Sequence, residues 1–239
     1  MEVLAVVPAR GGSKGLPRKN VAPFLGRPLV VWSVDAARDA QLVTRVVVST
    51  DDAEIAEIAS ANGAEVPFVR PAELAADDVR DLPVFEHALG WLREHEGYVP
   101  DVVVHLRPTS PLRPAGLVDQ AIQLLLDEPR AESVRAVCEA PCNPYKMWRI
   151  TDGVLAPLLD SDVPEHWNAP RQALPTVHWQ IGTVDAIRTA TIVSGHSMSG
   201  DVIVPLVVDP ALAGDIDDQW SFESTERMAV RLGLAGSAG

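Results

Sequence analysis

The chain of 239 residues is poor in several things, and each shortage removes a class of function. It has two cysteines, Cys138 and Cys142. Two thiols this close build no disulfide framework, and no further Cys or His stands nearby at zinc-ligand spacing, so both read as reduced thiols. Long apolar runs are missing: none approaches the roughly 18 residues that cross a bilayer. The opening "MEVLAVVPAR" has no basic leader, and its apolar run is about six residues, too short for a signal peptide. The expectation is a cytoplasmic protein with no membrane partner. Positive charge is scarce too, since 20 Lys and Arg face 33 Asp and Glu for a formal net charge of −13. General nucleic-acid binding depends on neutralising many phosphates, so nucleic acid is not expected as a partner. A small anionic ligand is not excluded, because it needs only a local positive pocket.

What the chain does have is a globular balance, with 47% hydrophobic and 22% charged residues, and enough length for one α/β domain with a large core. Apolar runs read as buried strands at Val3–Pro8, Arg45–Thr50 and Asp101–Leu106. Between and after them, "LVVWSVDAARDA", "DDAEIAEIASANGAEV", "LPVFEHALGWLREH" and "GLVDQAIQLLLDE" carry helical spacing. In the second of these, acids fill the first turn and Gly63 follows the last, the start and stop signals of a helix. This alternation implies a mostly parallel sheet with right-handed crossovers. Ligands of such sheets bind beyond the carboxyl ends of the strands. That rule puts the loop after Pro8, the "STDD" after Val48 and the "RPTSPLR" after Leu106 on one rim.

Residues 140–180, rich in Pro and Trp, break the rhythm and read as an excursion serving as a lid or a subunit contact. The chain then returns with "TVDAIRTATI" and "DVIVPLVV", and the terminal "LAGSAG" is expected to fray. No internal repeat or low-complexity segment interrupts this single domain, 1–239.

The scarce positive charge is concentrated. In "VVPARGGSKGLPRKN", Arg10, Lys14, Arg18 and Lys19 share one loop with three glycines, directly after the first buried strand. Glycines let a backbone approach a ligand and turn its N–H groups inward, which suits phosphate oxygens. The loop has neither the GxxxxGK[ST] nor the GxGxxG spacing. Taken alone it is also compatible with a solvated basic loop.

"PARGGSKGLPRKN" resembles the signature of the acylneuraminate cytidylyltransferases, the CMP-sialic acid synthetases and their relatives. The resemblance continues in order through "VSTDDAEIA", "VRPAELAADD", "LRPTSPLR", "PRQALP" and a late "DID". It implies a Rossmann-like nucleotidyltransferase fold, a homodimer with 140–180 at the subunit interface, and a Mg²⁺-dependent reaction. In that reaction CTP and an acidic 2-keto-3-deoxy sugar give a CMP-sugar and pyrophosphate, chemistry that rests on positioning and charge stabilisation.

Carried over position by position, the resemblance assigns Arg10, Ser13, Lys19, Asn20 and Arg70 to the nucleotide. The loop's own chemistry suits Arg10, Lys14 and Lys19 to the triphosphate and the Gly11–Gly12 backbone to its close approach, and Asp81, which departs from the family pattern, is expected on the nucleotide at the base. Lys146 and Arg171 are expected near the acidic sugar or phosphate, and Asp215 and Asp217 at Mg²⁺, whose hard charge suits carboxylate oxygens. Plainer readings stand beside these: a strand-end ion pair for Arg70, surface charges for Lys146 and Arg171, and a solvated acidic run for Asp215 to Asp218. His105 reads as a hydrogen-bonded core residue, and Asp51 and Asp52 as caps of the following helix.

Three places depart from the family pattern. Arg107 stands where sialic acid synthetases carry Gln, which implies either an additional anionic or polar group on the substrate or an internal pair with a nearby acid. Ile181 and Asp185 replace Asn and Tyr beside the retained Gly182, leaving His178 or Gln180 to supply a sugar contact. Asp81 stands where relatives have Ser or Thr facing the base, and a carboxylate accepts from cytosine or from guanine. The alternatives are therefore the same fold acting on a phosphonate or with GTP, or a non-catalytic nucleotide-binding module. No residue stands out by spacing as a general base.

Overall fold

The structure, a computed structural model, describes residues 1–234, so beyond Leu234 the tail expected to fray lies outside the described residues. Strand β1 (Val3–Pro8) shows how the core is built. Val3, Ala5 and Val7 enter one apolar cluster, and Leu4 and Val6 enter the other. A strand buried on both faces must be apolar throughout, which is why it reads as a continuous run. After it come the short hairpin β2 (Pro23–Phe24) and β3 (Arg27–Pro28), helix α1 (Leu29–Arg38), strand β4 (Arg45–Ser49) and helix α2 (Ala53–Ala61). Next are α3 (Asp81–Glu96), β5 (Val102–His105), α4 (Leu117–Asp127) and β6 (Ser133–Glu139). The hairpin β7 (Trp148–Thr151) and β8 (Val154–Pro157) precedes β9 (His178–Arg188), α5 (Thr189–Val193), β10 (Ile203–Val207) and α6 (Gln219–Arg231).

Six strands form the central sheet in the order β10–β6–β9–β5–β1–β4. Pairings β1–β4, β1–β5 and β6–β10 are parallel, and β9 runs antiparallel between β5 and β6. Helices α1, α2, α4 and α6 cover one face, and α3 and α5 the other. The expected mostly parallel α/β architecture is therefore present. Sequence reading placed "HWQIG" in the irregular excursion, whereas it is the first half of β9. Its residues His178 to Gln180 are exposed, while Val184 to Ile187 are fully buried, so one strand carries two different patterns.

Helix α2 begins at Asp52, whose side chain accepts from the Ile55 backbone N–H at 3.0 Å, as expected of a cap. Asp51 does otherwise, and its Oδ1 accepts from the backbone N–H of Gly11 at 2.9 Å. The presumed cap thus holds the glycine loop. Both cysteines are free thiols.

Candidate functional site

The glycine loop is tied down by the ends of its neighbouring strands. The Ala9 N–H donates to the Ser49 carbonyl at 3.0 Å, and buried Asn20 donates from Nδ2 to the Arg10 carbonyl at 2.8 Å. Asn20 therefore shapes the loop from within. Gly15 is required by close approach: an added Cβ would stand 2.2 Å from the Asp217 carbonyl oxygen. Lys19 crosses the same junction, donating from Nζ to the Ile216 carbonyl at 2.5 Å and lying 3.7 Å from Asp217 Oδ1. The loop and the late acidic segment, 197 residues apart in sequence between Lys19 and Ile216, thus form one wall.

Beside this wall is a cavity of about 470 Å³, a volume suited to a nucleotide-sized ligand. Its lining includes Arg10, Ser13, Lys14, Lys19, Asn20, Arg70, Asp81, Arg107 and Asp217 from the sequence-based site. Six cationic side chains and three carboxylates line it, in a chain of net charge −13. The scarce positive charge is focused on one concave surface at the carboxyl ends of β1, β4 and β5.

Arg18 does not join it. This residue adopts a left-handed backbone (φ 58°) and turns its guanidinium to Asp52 and Glu54 at the start of α2, so only three of the loop's four cations face the cavity. Arg70 is buried rather than ion-paired on the surface. Its Nε donates to Ser49 Oγ at 3.1 Å and its Nη2 to the Ser49 carbonyl. Burial pushes its pKa down to about 10, partly offset by Asp51.

Asp77 was missed by sequence reasoning. Its carboxylate meets Arg10 Nη1 at 2.9 Å and also pairs with Lys14 Nζ. The hydrogen bond from Lys14, followed by the attraction of both cations, holds its pKa below the usual carboxylate range. The available signal was the doubled acid in "LAADD", which reads as solvated unless a basic partner is known.

At the far end of the cavity, Arg107 bridges two carboxylates, with Nη1 2.9 Å from Asp185 Oδ2 and Nη2 3.1 Å from Asp81 Oδ2. Of the two readings of Arg107, the internal pair is the one present. His105 is a core residue, but neither ring nitrogen has a hydrogen-bond partner; its ring packs against Phe85 at 4.6 Å. Burial, then Arg107, Arg113 and Arg135, push its pKa well below 6.5 and keep it neutral. Arg113, also unforeseen, is a buried guanidinium with three uncharged acceptors: the carbonyls of Thr183 and Arg107, each within 2.6 Å, and Ser33 Oγ at 3.0 Å. Burial, with Arg107 nearby, lowers its pKa to about 9.

The remaining sequence-based residues lie elsewhere. Gly11 and Gly12 shape the loop without lining the cavity, and the space beside Gly12 is open. Arg171 pairs with Glu139 at 2.6 Å beside a separate small cleft, and Lys146 is exposed on a short 3-10 turn. Gln180 is exposed and accepts from Arg135 Nη1 at 2.8 Å. Asp215 and Asp217 flank buried Ile216 and are themselves exposed; Asp217 lines the cavity, and Asp215 accepts from Ser110 Oγ at 3.4 Å. Among the described residues no group of three or more His, Cys, Asp or Glu is arranged to hold a metal ion. A carboxylate pair nevertheless suits Mg²⁺, which is commonly held by one or two carboxylates together with substrate phosphates and water. No helix among the described residues is long and apolar enough to cross a membrane.

The family model described as Cytidylyltransferase matches residues 4–149. The chain is 39% identical over 123 residues to the pseudaminic acid cytidylyltransferase of Campylobacter jejuni, an alignment covering 52% of this chain and 53% of that protein. The match thus spans about half of that relative's length. With the post-translational flagellin modification protein B of Campylobacter coli, identity is 27% over 226 residues, 94% of each chain. Among solved structures, CMP:2-keto-3-deoxy-manno-octonic acid synthetase complexed with CTP superposes with a TM-score of 0.70 at 16% identity, covering 97% of this chain and 100% of that one. At that identity the likeness is one of fold.

Proposed function

The chain belongs to the cytidylyltransferase family, and from that premise we propose that it transfers CMP from CTP to the anomeric hydroxyl of a nonulosonic or similar 2-keto-3-deoxy acid sugar. The observation that carries this reading is the cationic cavity formed by the glycine loop, Arg70 and Arg107 in a strongly acidic chain. A binding module needs some positive charge, but a reaction that expels pyrophosphate needs fixed donors where negative charge grows.

In the proposed reaction the sugar hydroxyl oxygen forms a bond to the α-phosphorus. The bond from that phosphorus to the bridging oxygen breaks, pyrophosphate leaves with the electron pair, and the hydroxyl proton is released to water. Arg10, Lys14 and Lys19 face the triphosphate and stabilise the leaving charge. Asp77 occupies Arg10 and Lys14 before the nucleotide arrives, so the triphosphate exchanges with a carboxylate and meets cations already oriented. Ser13 and the loop backbone orient the phosphates, and Arg70 sits behind them with its guanidinium fixed by Ser49. Asp215 and Asp217 would hold Mg²⁺, which when bound neutralises phosphate charge. Lys146 and Arg171 would meet the acidic sugar, and 140–180 would form the contact of a homodimer.

Pyrophosphate release tests the proposal, with CTP, GTP, UTP and ATP each paired with N-acetylneuraminic, legionaminic and pseudaminic acids, with and without Mg²⁺. The expected result is Mg²⁺-dependent turnover with CTP and one of the sugars, absent in Lys19→Ala. Turnover with GTP would move the base assignment to Asp81. Tight CTP binding with no turnover, insensitive to Asp215→Asn, would favour the non-catalytic module.

A further inference from the structure

We infer that Asp77 is a positioning residue, a resident anion that closes Arg10 and Lys14 to any ligand without a diphosphate and reclaims both cations as pyrophosphate leaves. The inference rests on the proposed place of the triphosphate. It goes beyond that reading to selectivity among phosphates and to product release.

Asp77 belongs to a different wall of the cavity from the glycine loop, the segment 74–81 that leads into α3. Leu74 and Val79 pack against the apolar cluster under α3, while Ala76, Asp77 and Asp78 between them are exposed. The tip of the segment is held from the glycine loop. Arg10 Nη1 meets Asp77 Oδ1 at 2.9 Å and donates to the Ala75 carbonyl at 3.3 Å, and Lys14 Nζ pairs with Asp77 Oδ2.

One carboxylate therefore occupies two cations, one with each oxygen. The other carboxylates lining the cavity are engaged elsewhere: Asp81 pairs with Arg107, and Asp217 lies 3.7 Å from Lys19. Among the lining groups six cations, Arg70 and Arg80 included, face three carboxylates, so an anion is attracted even with Asp77 in place. What Asp77 withholds is one particular pair of donors.

A ligand that takes this pair must give both cations at least what Asp77 gives them. The β- and γ-phosphates of CTP, or free pyrophosphate, carry charged oxygens on two adjacent phosphoryl groups and replace both contacts at once. CMP has only the phosphoryl group next to the nucleoside, which in the proposed arrangement ends short of Arg10 and Lys14. The exchange costs little, because the Lys14 side chain is 82% exposed and that of Asp77 40%, and ion pairs in water are weak. The pair thus opens for a diphosphate and re-forms behind it, where the returning carboxylate competes with rebinding of pyrophosphate.

The test titrates CTP, CMP and pyrophosphate calorimetrically, with Mg²⁺ throughout, into the wild-type protein, Asp77→Asn, Lys14→Ala and the double variant. Pyrophosphate inhibition of turnover and thermal midpoints are recorded beside it. Asp77→Asn should bind CTP and pyrophosphate about three- to tenfold more tightly, and CMP within about twofold of wild type. The KM for CTP and the inhibition constant of pyrophosphate should fall by the same factor. In the Lys14→Ala background Asp77 has lost one of its two partners, so adding Asp77→Asn should gain about twofold at most. Weaker pyrophosphate binding in Asp77→Asn, at any midpoint, would make the carboxylate a mere support of the loop and overturn the inference alone. Equal tightening of CMP overturns it as well, since a general field and not a withheld pair would then be at work. If the affinities shift as expected while wild-type protein turns over no acceptor, the proposed function falls and the inference stands.

Discussion

The rim of the cavity and the segment 140–180 are both irregular in backbone, yet they are held in opposite ways. In the rim most cations are met from within: Arg10 and Lys14 by Asp77, Lys19 by the Ile216 carbonyl, and Arg70 by Ser49. These partners sit at the ends of a sheet whose strands are buried on both faces, so the rim inherits the rigidity of the core. The excursion is held by small contacts of its own, such as the Trp148–Trp167 pair at 4.8 Å and the β7–β8 ladder. It leaves Ile150, Val154 and Leu155 more than half exposed, at 77%, 67% and 56%. The first region is preorganised for an anion; the second is an apolar surface that a single chain leaves uncovered.

The largest expected effect separates the two regions by their charges. Lys19→Ala removes a cation fixed against the acidic segment and should lower kcat/KM for CTP turnover by about a thousandfold, in the range found when one fixed donor is removed. Lys146→Ala should instead raise only the acceptor KM, by about tenfold, with CTP affinity unchanged. Calorimetric CTP titration beside steady-state kinetics distinguishes them. If the two variants exchange phenotypes, the contrast between rim and excursion is wrong.

Next in size is a change in the rim's hidden support. Arg113→Met leaves three buried acceptors without their donor and should cost roughly 2–3 kcal/mol of stability. Urea unfolding measures that loss. If the rim is built from the core, CTP affinity should fall with it; an unaltered affinity would uncouple the loop from Arg113.

What sequence could and could not show follows the same division. Buried strands β1, β4 and β5 were legible because double-sided burial demands apolar runs, and the glycine loop because scarce charge was concentrated in one place. Partners across long separations were not. Asp77 with Arg10, Asp51 with the Gly11 N–H and Asp185 with Arg107 all depend on which strands lie side by side. No spacing rule encodes that. Strand β9 was hidden for a related reason: its exposed first half carries the composition of the excursion, and antiparallel insertion between β5 and β6 is a tertiary choice.

A smaller effect probes the uncovered surface. If the excursion is the homodimer contact, Ile150→Ser with Leu155→Ser should weaken self-association by about tenfold to a hundredfold and leave CTP binding to the separated chain intact. Sedimentation velocity across a dilution series reads this directly. An unchanged association state, dimeric or monomeric, removes the hairpin from the interface.

The smallest effect returns to the cavity floor and concerns pH. The folded-state pKa of His105 lies well below 6.5, chiefly through burial, so below pH 6.5 the unfolded chain binds a proton that the folded chain excludes. The stability is therefore complete above 6.5 and is lost as pH falls below it. Each pH unit within that window costs about 1.4 kcal/mol for one such group at most. His87, also lowered by burial and by Arg70, contributes with the same sign. Asp185 works in the opposite sense: its pKa is raised from 3.8, so its contribution is present below 3.8 and is lost as pH rises through the raised value. His105→Leu should flatten the fall in unfolding free energy between pH 6.5 and about 5.5 without abolishing it, since His87 remains. Thermal or urea unfolding of both proteins at closely spaced pH values reads the two slopes. Equal slopes would mean that His105 takes up its proton in the folded chain, through an opening of the floor that brings water to the ring. The rim would then lack the rigidity that distinguishes it from the excursion.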